Sequence, residues 1–369
     1  MKKVLVILLG LLILFTLSSR AYNNTRQGYI IGKAVKLREG SNTDSKVKLL
    51  LDIGTKVEIL ERSRSKENNK NYTDYYYKVN FNDQKGWVFG EFIAEDNSLE
   101  EELNLRLDHY FNSSNLASKE AINTLLAYAE ISSNPKLIDK GLRYIIKLKK
   151  QEIDKYRSDF KNIEEGIFAE FQTGFEQEEY TSIGDVLNTP QDNKLKENLE
   201  LIRNEGYRIS IPEGSLLLEV NPDYLLAKFE AFISKGYAKF LKLQSREVNE
   251  HAGEDAAILI SWDELAARLL SWEKLIDEYP NLKEVDLAKR EYKSYLSLYL
   301  FGTDNTPAFA YWDDYILREE ARLSYENYLK RYQDTATYQI IKDYYEEAKN
   351  NGFKWDDGLN KYRDRIWGN

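Results

Sequence analysis

Between Lys33 and Ala94 apolar residues return at every second position in a series of short runs, a period that belongs to strands and not to helices. Val35 and Leu37 alternate with Lys36 and Arg38. Gly40-Ser41-Asn42-Thr43-Asp44-Ser45 is a turn cluster, after which Val47, Leu49 and Leu51 alternate again. Gly54 precedes a third run, Val57, Ile59 and Leu60. The charged stretch from Glu61 to Asp74 reads as a loop. Tyr75 to Phe81 is rich in the aromatic and β-branched residues that suit a pleated, half-buried surface. Asn82-Asp83-Gln84-Lys85-Gly86 then reads as a hairpin turn closed by Trp87-Val88-Phe89, and Phe92-Ile93 ends the unit. So many short strands in so little chain predict a small closed or partly closed barrel.

The same residues resemble the bacterial SH3 family. The run Val35-Lys36-Leu37-Arg38-Glu39-Gly40-Ser41-Asn42-Thr43-Asp44-Ser45-Lys46-Val47 is similar to the opening signature of that family. Gly54-Thr55-Lys56-Val57-Glu58-Ile59-Leu60 is similar to its middle strand, and Tyr76-Tyr77-Lys78-Val79 with Gly86-Trp87-Val88 to its closing hairpin. Ser41 stands where the family often has proline and Tyr76 where it often has tryptophan. The stretch between Glu61 and Tyr75 is longer than the usual loop. The resemblance implies an SH3-like barrel over residues 33–95 that is non-catalytic and binds peptidoglycan or its peptide stems. It transfers no ligand groove residue by residue, because the groove varies within the family. Arg38, Tyr76 and Trp87 are the ligand-binding candidates, with core packing as the competing role for Tyr76 and Trp87.

Ahead of this unit, Lys2-Lys3 is followed by an apolar run from Val4 to Leu17, then Ser18-Ser19-Arg20-Ala21. A positive start, a short apolar core and small residues at Ser19 and Ala21 are the parts of a signal peptide. The run is short for a spanning helix, which needs about 20 apolar residues. Residues 1–21 are therefore expected to be a signal peptide cut after Ala21, or an uncleaved membrane anchor through residues 4–19. Either way the chain is exported to the periplasm or cell surface, and residues 22–32 serve as a linker. The chain has no cysteine, which excludes a disulfide scaffold, a thiol nucleophile and a lipid-modified N-terminal cysteine.

After Asp96-Asn97-Ser98 the period becomes helical, beginning with Leu99, Leu103 and Leu107, and residues 99–369 read as mainly helical. Ser118 caps a helix to about Ile131, and Asn134-Pro135 opens a long charged one to about Lys161. Residues 162–189, with Gly166, Gly174 and Gly184, read as a loop or lid, and the domain has a candidate break near 162–220. Tyr207–Ile211 and Leu216–Val220 flank Pro212-Glu213-Gly214-Ser215 as a hairpin. Asn221-Pro222-Asp223 caps a helix to about Arg246, and Ser261 with Glu264 forms a capping box for a helix to Tyr279. Leu270-Ser271-Trp272-Glu273 and Tyr279 recur as Leu323-Ser324-Tyr325-Glu326 and Tyr332. This weakly resembles divergent tetratricopeptide hairpins, which bind protein partners. An ordinary helical bundle is the competing reading.

Charge and catalytic inventory narrow the function. Residues 96–369 carry 36 basic and 51 acidic side chains, a net −15 that repels phosphate backbones and argues against nucleic acid. The only histidines are His109 and His251 and no HExxH is present, so no metal is expected and no other cofactor. Asn249 to Asp255, which contains His251, is the one polar cluster with ligand-type residues and reads as a solvated loop. No phosphate loop, GxSxG or kinase motif occurs, so no catalytic residue is assigned. The favoured reading is an exported, non-enzymatic cell-envelope binding protein. Its SH3 barrel would tether peptidoglycan or a wall peptide, and its helical domain would hold an unknown protein partner. The alternative is a cell-wall glycan hydrolase using an Asp/Glu pair of the helical domain, for which Glu213, Glu219 and Asp304 lie near predicted turns.

Overall fold

The computed structural model describes residues 26–69, 72–96, 98–112, 118–155, 157–177, 179–180, 182–211 and 215–367. The expected signal peptide or anchor at 1–21 lies outside the described residues. Among those described, no helix is long and apolar enough to cross a membrane. The chain divides into two units. The first takes in the described residues up to Tyr110 together with Glu120–Ser133, and the second Phe111–Lys119 together with Asn134–Asn369.

In the first unit the alternating runs form a curled antiparallel sheet. Its strands are β1 (Arg26–Ile30), β2 (Val35–Arg38), β3 (Val47–Leu51), β4 (Lys56–Asn69), β5 (Tyr72–Phe81), β6 (Gln84–Phe89) and β7 (Ile93–Glu95), in the order β3-β2-β6-β5-β4-β1-β7. A single 3₁₀ turn, Gly90–Phe92, joins β6 to β7. The inward residues Val35, Leu37, Val57, Ile59, Val79 and Val88 meet in one apolar core with Ile30, Leu51 and Ile93. The hairpin turn falls at Asn82-Asp83, both with positive φ (48° and 64°), which Asn and Asp tolerate better than other side-chain-bearing residues.

Two expectations change here. Residues 26–30, read as linker, form β1, which pairs with both β4 and β7. Of the expected charged loop at 61–74, residues 61–69 and 72–74 are instead strand: β4 continues to Asn69 and pairs back onto β5, with bulges at Ile59/Glu61 and Arg62/Lys66. This ribbon projects past the core and needs no apolar face. Its charged residues are held along the strands, with the Arg62 guanidinium 4.1 Å from the Tyr75 ring centroid and Lys78 paired to Glu61 at 2.8 Å.

Two helices follow, α1 (Leu99–Asn112), which belongs to the first unit up to Tyr110, and α2 (Ser118–Ile131), which belongs to it from Glu120 onward. Arg106 on α1 donates to Glu91 Oε1 at 2.8 Å, to the Glu91 carbonyl at 3.0 Å and to the Tyr128 hydroxyl of α2 at 3.2 Å.

The second unit is helical with three small hairpins. Its helices are α3 (Pro135–Lys155), α4 (Arg157–Glu176), α5 (Ile183–Asn188), α6 (Asn193–Asn204), α7 (Pro222–Phe229), α8 (Lys235–Asn249), α9 (Trp262–Glu278), α10 (Val285–Phe301), α11 (Glu319–Arg331), α12 (Ala336–Asn350) and α13 (Asp357–Trp367). The hairpins are β8 (Tyr207–Ser210) with β9 (Leu217–Val220), β10 (Gly253–Glu254) with β11 (Ala257–Ile258), and β12 (Phe309–Ala310) with β13 (Ile316–Leu317).

The expected loop or lid at 162–189 is a correction: most of it is α4 and α5. One of the glycines, Gly174, serves packing and does not break the helix. A Cβ on Gly174 would stand 2.1 Å from the Tyr180 ring, so glycine there lets that ring lie against the helix. Ile167 of α4 packs with Tyr180, Val186 of α5, and Leu195 and Leu199 of α6. The single helix expected over 221–246 is also two, α7 and α8. The break is held by Asp139 of α3, which accepts from Ser234 N at 2.9 Å and Ser234 Oγ at 2.6 Å, while Ser234 caps α8.

The recurrent segment corresponds to two helical hairpins, α9–α10 and α11–α12, and buried tyrosines of the two hairpins, Tyr299, Tyr325, Tyr328 and Tyr344, pack on one another. The last carbonyls of α10 have no partner within the helix. Tyr325 donates to the Tyr299 carbonyl at 2.7 Å, Trp262 Nε1 to the same carbonyl at 3.0 Å, and Tyr344 to the Leu300 carbonyl at 2.8 Å. Aromatic bulk and carbonyl satisfaction thus come from the same side chains.

Candidate functional site

Directly opposed residues of an antiparallel sheet project from the same face. Arg38 on β2 is the register partner of Trp87 on β6, and Trp87 is in turn the partner of Lys78 on β5. The neighbours Leu37 and Val88 point to the core, so Arg38, Trp87 and Lys78 form a row on the outer face. Tyr76, two residues before Lys78, belongs to that face as well.

The three candidates from the sequence are therefore neighbours, but unequal ones. Trp87 is half-buried, with the Lys78 ammonium 5.7 Å from its ring centroid. Arg38 is half-buried and donates to the Ser45 carbonyl at 2.7 Å, which anchors the turn at 40–45 beside the row. Tyr76 is only 1% exposed and packs edge-to-face on Phe89 with centroids 5.3 Å apart. Its ring is a packing element, and burial pushes its phenol up from the ordinary range. The accessible part of the row is an indole between two cations.

A second concave surface of the first unit went unread in the sequence. A cleft of about 390 Å³ is lined by Tyr72, Asp74 and Tyr77 of β5, by Gly90 and Glu91 of the 3₁₀ turn, and by Glu102, Arg106 and His109 of α1. Burial pushes the Glu91 carboxyl up even against the opposing charge of Arg106. It also pushes Glu102 up, although Glu95 N (3.0 Å) and Ser98 Oγ (2.9 Å) donate to it. The Tyr72 phenol is pushed up to about 12, chiefly by burial. A Cβ on Gly90 would lie 2.6 Å from Asp74 Oδ2 and 2.8 Å from the Tyr77 ring, so the wall closes only around glycine. These residues come from three elements and share no spacing. His109 was visible only as an isolated histidine.

In the second unit the hydroxyl of Ser118 accepts from Lys149 Nζ at 3.2 Å, a donor–acceptor pair that resembles a nucleophile and its base. Ser118, Lys149, Glu152 and Tyr207 are each exposed by 5% or less. Glu152 accepts from Ser118 N at 2.8 Å and from the Tyr207 hydroxyl, and Lys149 also donates to the Glu205 carbonyl. The four residues are thus tied together in the interior of the unit.

Two of the three candidate carboxylates for glycan cleavage lie among the described residues. Glu219 lies on β9, 4.0 Å from Arg208. Asp304 is exposed in the loop after α10, and Glu213 lies outside the described residues. His251 is exposed. Among the described residues no group of three His, Cys, Asp or Glu side chains could hold a metal ion.

Compared with known proteins, residues 33–94 match the family model of the bacterial SH3 domain. No curated protein and no solved structure matches the chain. The family match falls within the curled sheet: residues 33–94, about a sixth of the chain, are a bacterial SH3 domain, a module that suggests cell-wall binding and association with the cell envelope.

Proposed function

We propose that the protein is an exported, non-enzymatic envelope protein whose SH3 domain holds peptidoglycan and whose helical unit holds a protein partner. The observation that carries the first half is the cross-strand pair Arg38–Trp87 with Lys78 on the far side of the indole. An aromatic face stacks on apolar faces of sugars or peptides. Guanidinium and ammonium groups beside it complement the carboxylates of wall peptides. Repeated helical hairpins support the second half, since stacked helix pairs offer extended surfaces to partners.

The test is co-sedimentation of the full chain with purified, insoluble peptidoglycan. The wild type is expected in the pellet. Trp87→Ala is expected to weaken binding about thirtyfold, the scale of a buried aromatic anchor, and Arg38→Ala to weaken it less. Lys46→Ala, whose side chain is 80% exposed beside Glu39, serves as the control and should pellet like the wild type. A wild-type chain that stays in the supernatant sinks the wall-binding reading. Release of soluble wall fragments would instead favour glycan cleavage. Mass spectrometry of the envelope fraction tests export, with removal or retention of residues 1–21 separating signal peptide from anchor.

A further inference from the structure

The polar cluster around His251 and the hairpin at residues 207–220 are brought to opposite walls of one groove. It has a volume of about 900 Å³. On one side are Arg208, Ile209 and Ser210 of β8, and on the other His251, Gly253 and Glu254 with the turn that follows.

Three observations define what the groove could take. First, among the described residues β8 has β9 as its only strand neighbour and β10 has β11 as its only one, so each leaves one edge without a described strand beside it. On the β11 side the neighbouring loop supplies partners: Asn305 N donates to the Ala256 carbonyl at 2.9 Å and Ile258 N to Thr306 Oγ1 at 3.1 Å. An open edge is a row of main-chain donors and acceptors that another extended chain can complete. Second, Ser210 is 6% exposed, and among the described residues its Oγ has no hydrogen-bond partner. A buried hydroxyl left unsatisfied is a destabilising feature that a ligand group would relieve. Third, Glu254 and Asp255 stand exposed on the rim, within a region of net charge −15.

We infer that this groove binds an extended segment of a partner protein, added as a strand on the β8 edge and carrying basic side chains toward Glu254 and Asp255. The inference rests on the proposed reading that the helical unit holds a protein partner, and it names the class of segment and the place. Main-chain pairing supplies the affinity, the apolar side chains of Ile209, Ile211 and Leu298 receive alternate residues, and Ser210 Oγ bonds the incoming backbone.

The experiment selects phage-displayed linear dodecapeptides on the immobilised full chain. Selected peptides are expected to alternate apolar with polar positions and to carry lysine or arginine. Methylating one backbone nitrogen at a time should weaken binding at every second position, because only alternate N–H groups of a strand face a given neighbour. Ser210→Ala should weaken binding about fivefold, the scale of one hydrogen bond, while leaving the thermal melt unchanged or raised. Ala257→Trp, which fills the groove, should abolish it. If peptides are selected but bind both variants as well as the wild type, the groove assignment is overturned while the partner reading stands. If no peptide is selected, both fail. Competition by N-acetylglucosamine oligomers would overturn the inference in favour of a glycan site.

Discussion

The ammonium of Lys149 lies 4.2 Å from the centroid of the Tyr207 ring, in the interior of the helical unit. Burial lowers the Lys149 pKa to about 8, although the charges of Glu152 and Glu205 oppose the shift. An unfolded lysine titrates near 10.4, so between pH 8 and 10 the unfolded chain binds the proton that the folded chain gives up. Stability of this unit is therefore expected to rise by about 2 kcal/mol across that window. Urea unfolding followed by tryptophan fluorescence measures it. Lys149→Met should flatten the slope, and an unchanged slope in that variant would assign the effect elsewhere.

Above pH 10 the sign reverses. Burial raises the phenols of Tyr299, Tyr325 and Tyr344 well above their ordinary value. Folded tyrosines keep protons that unfolded ones release, so the stability they contribute is complete below about pH 10 and lost as pH climbs further. Helical circular dichroism and tyrosinate absorbance should change together in one steep transition. Gradual tyrosinate formation near pH 10 with the helix signal intact would contradict this.

Glu273 joins the two helical hairpins. It is 4% exposed, and it accepts from Thr337 N at 3.1 Å and from Thr337 Oγ1 at 2.7 Å. Thr337 lies in the first turn of α12, where main-chain N–H groups need acceptors and a carboxylate is favoured. Glu273→Ala is expected to cost about 3 kcal/mol and Thr337→Val about 1 kcal/mol. The double variant should cost clearly less than the sum, because the second change removes a partner already lost. Additive costs in a double-mutant cycle would mean the two residues act independently.

Gly90→Ala tests the cleft of the first unit. The new methyl must displace Asp74 or the Tyr77 ring, at a cost of about 1–3 kcal/mol for an overpacked site. A lowered thermal midpoint is expected. An alanine variant that melts with the wild type would show that the cleft wall yields without strain.

The barrel was legible because alternation, a hairpin turn and a burial requirement all fall on the same residues, as Leu37, Val79 and Val88 illustrate. The ribbon beyond Glu61 was not, because a strand that buries nothing has no alternating apolar signature. Glycine at 174 read as a breaker when it makes room for Tyr180, a relationship between residues that only packing reveals. Arg38 and Trp87 could be named from chemistry, yet their pairing comes from β2 lying beside β6, two strands far apart in the chain. Tyr76 and Trp87 were alike in sequence, and neighbouring rings and strands decide which of them is covered. The cleft residues Glu91 and Arg106 are held by a network across three elements, for which local sequence carries no mark.

Strand β1 lies wholly outside the segment that matches the family, yet it bridges β4 and β7. A chain trimmed to residues 33–94 would retain every recognisable feature while exposing two raw sheet edges, the usual origin of strand-swapped dimers and aggregates. The smallest autonomous piece of this domain therefore begins at or before Arg26, and its boundary is set by hydrogen-bonding completeness and not by resemblance.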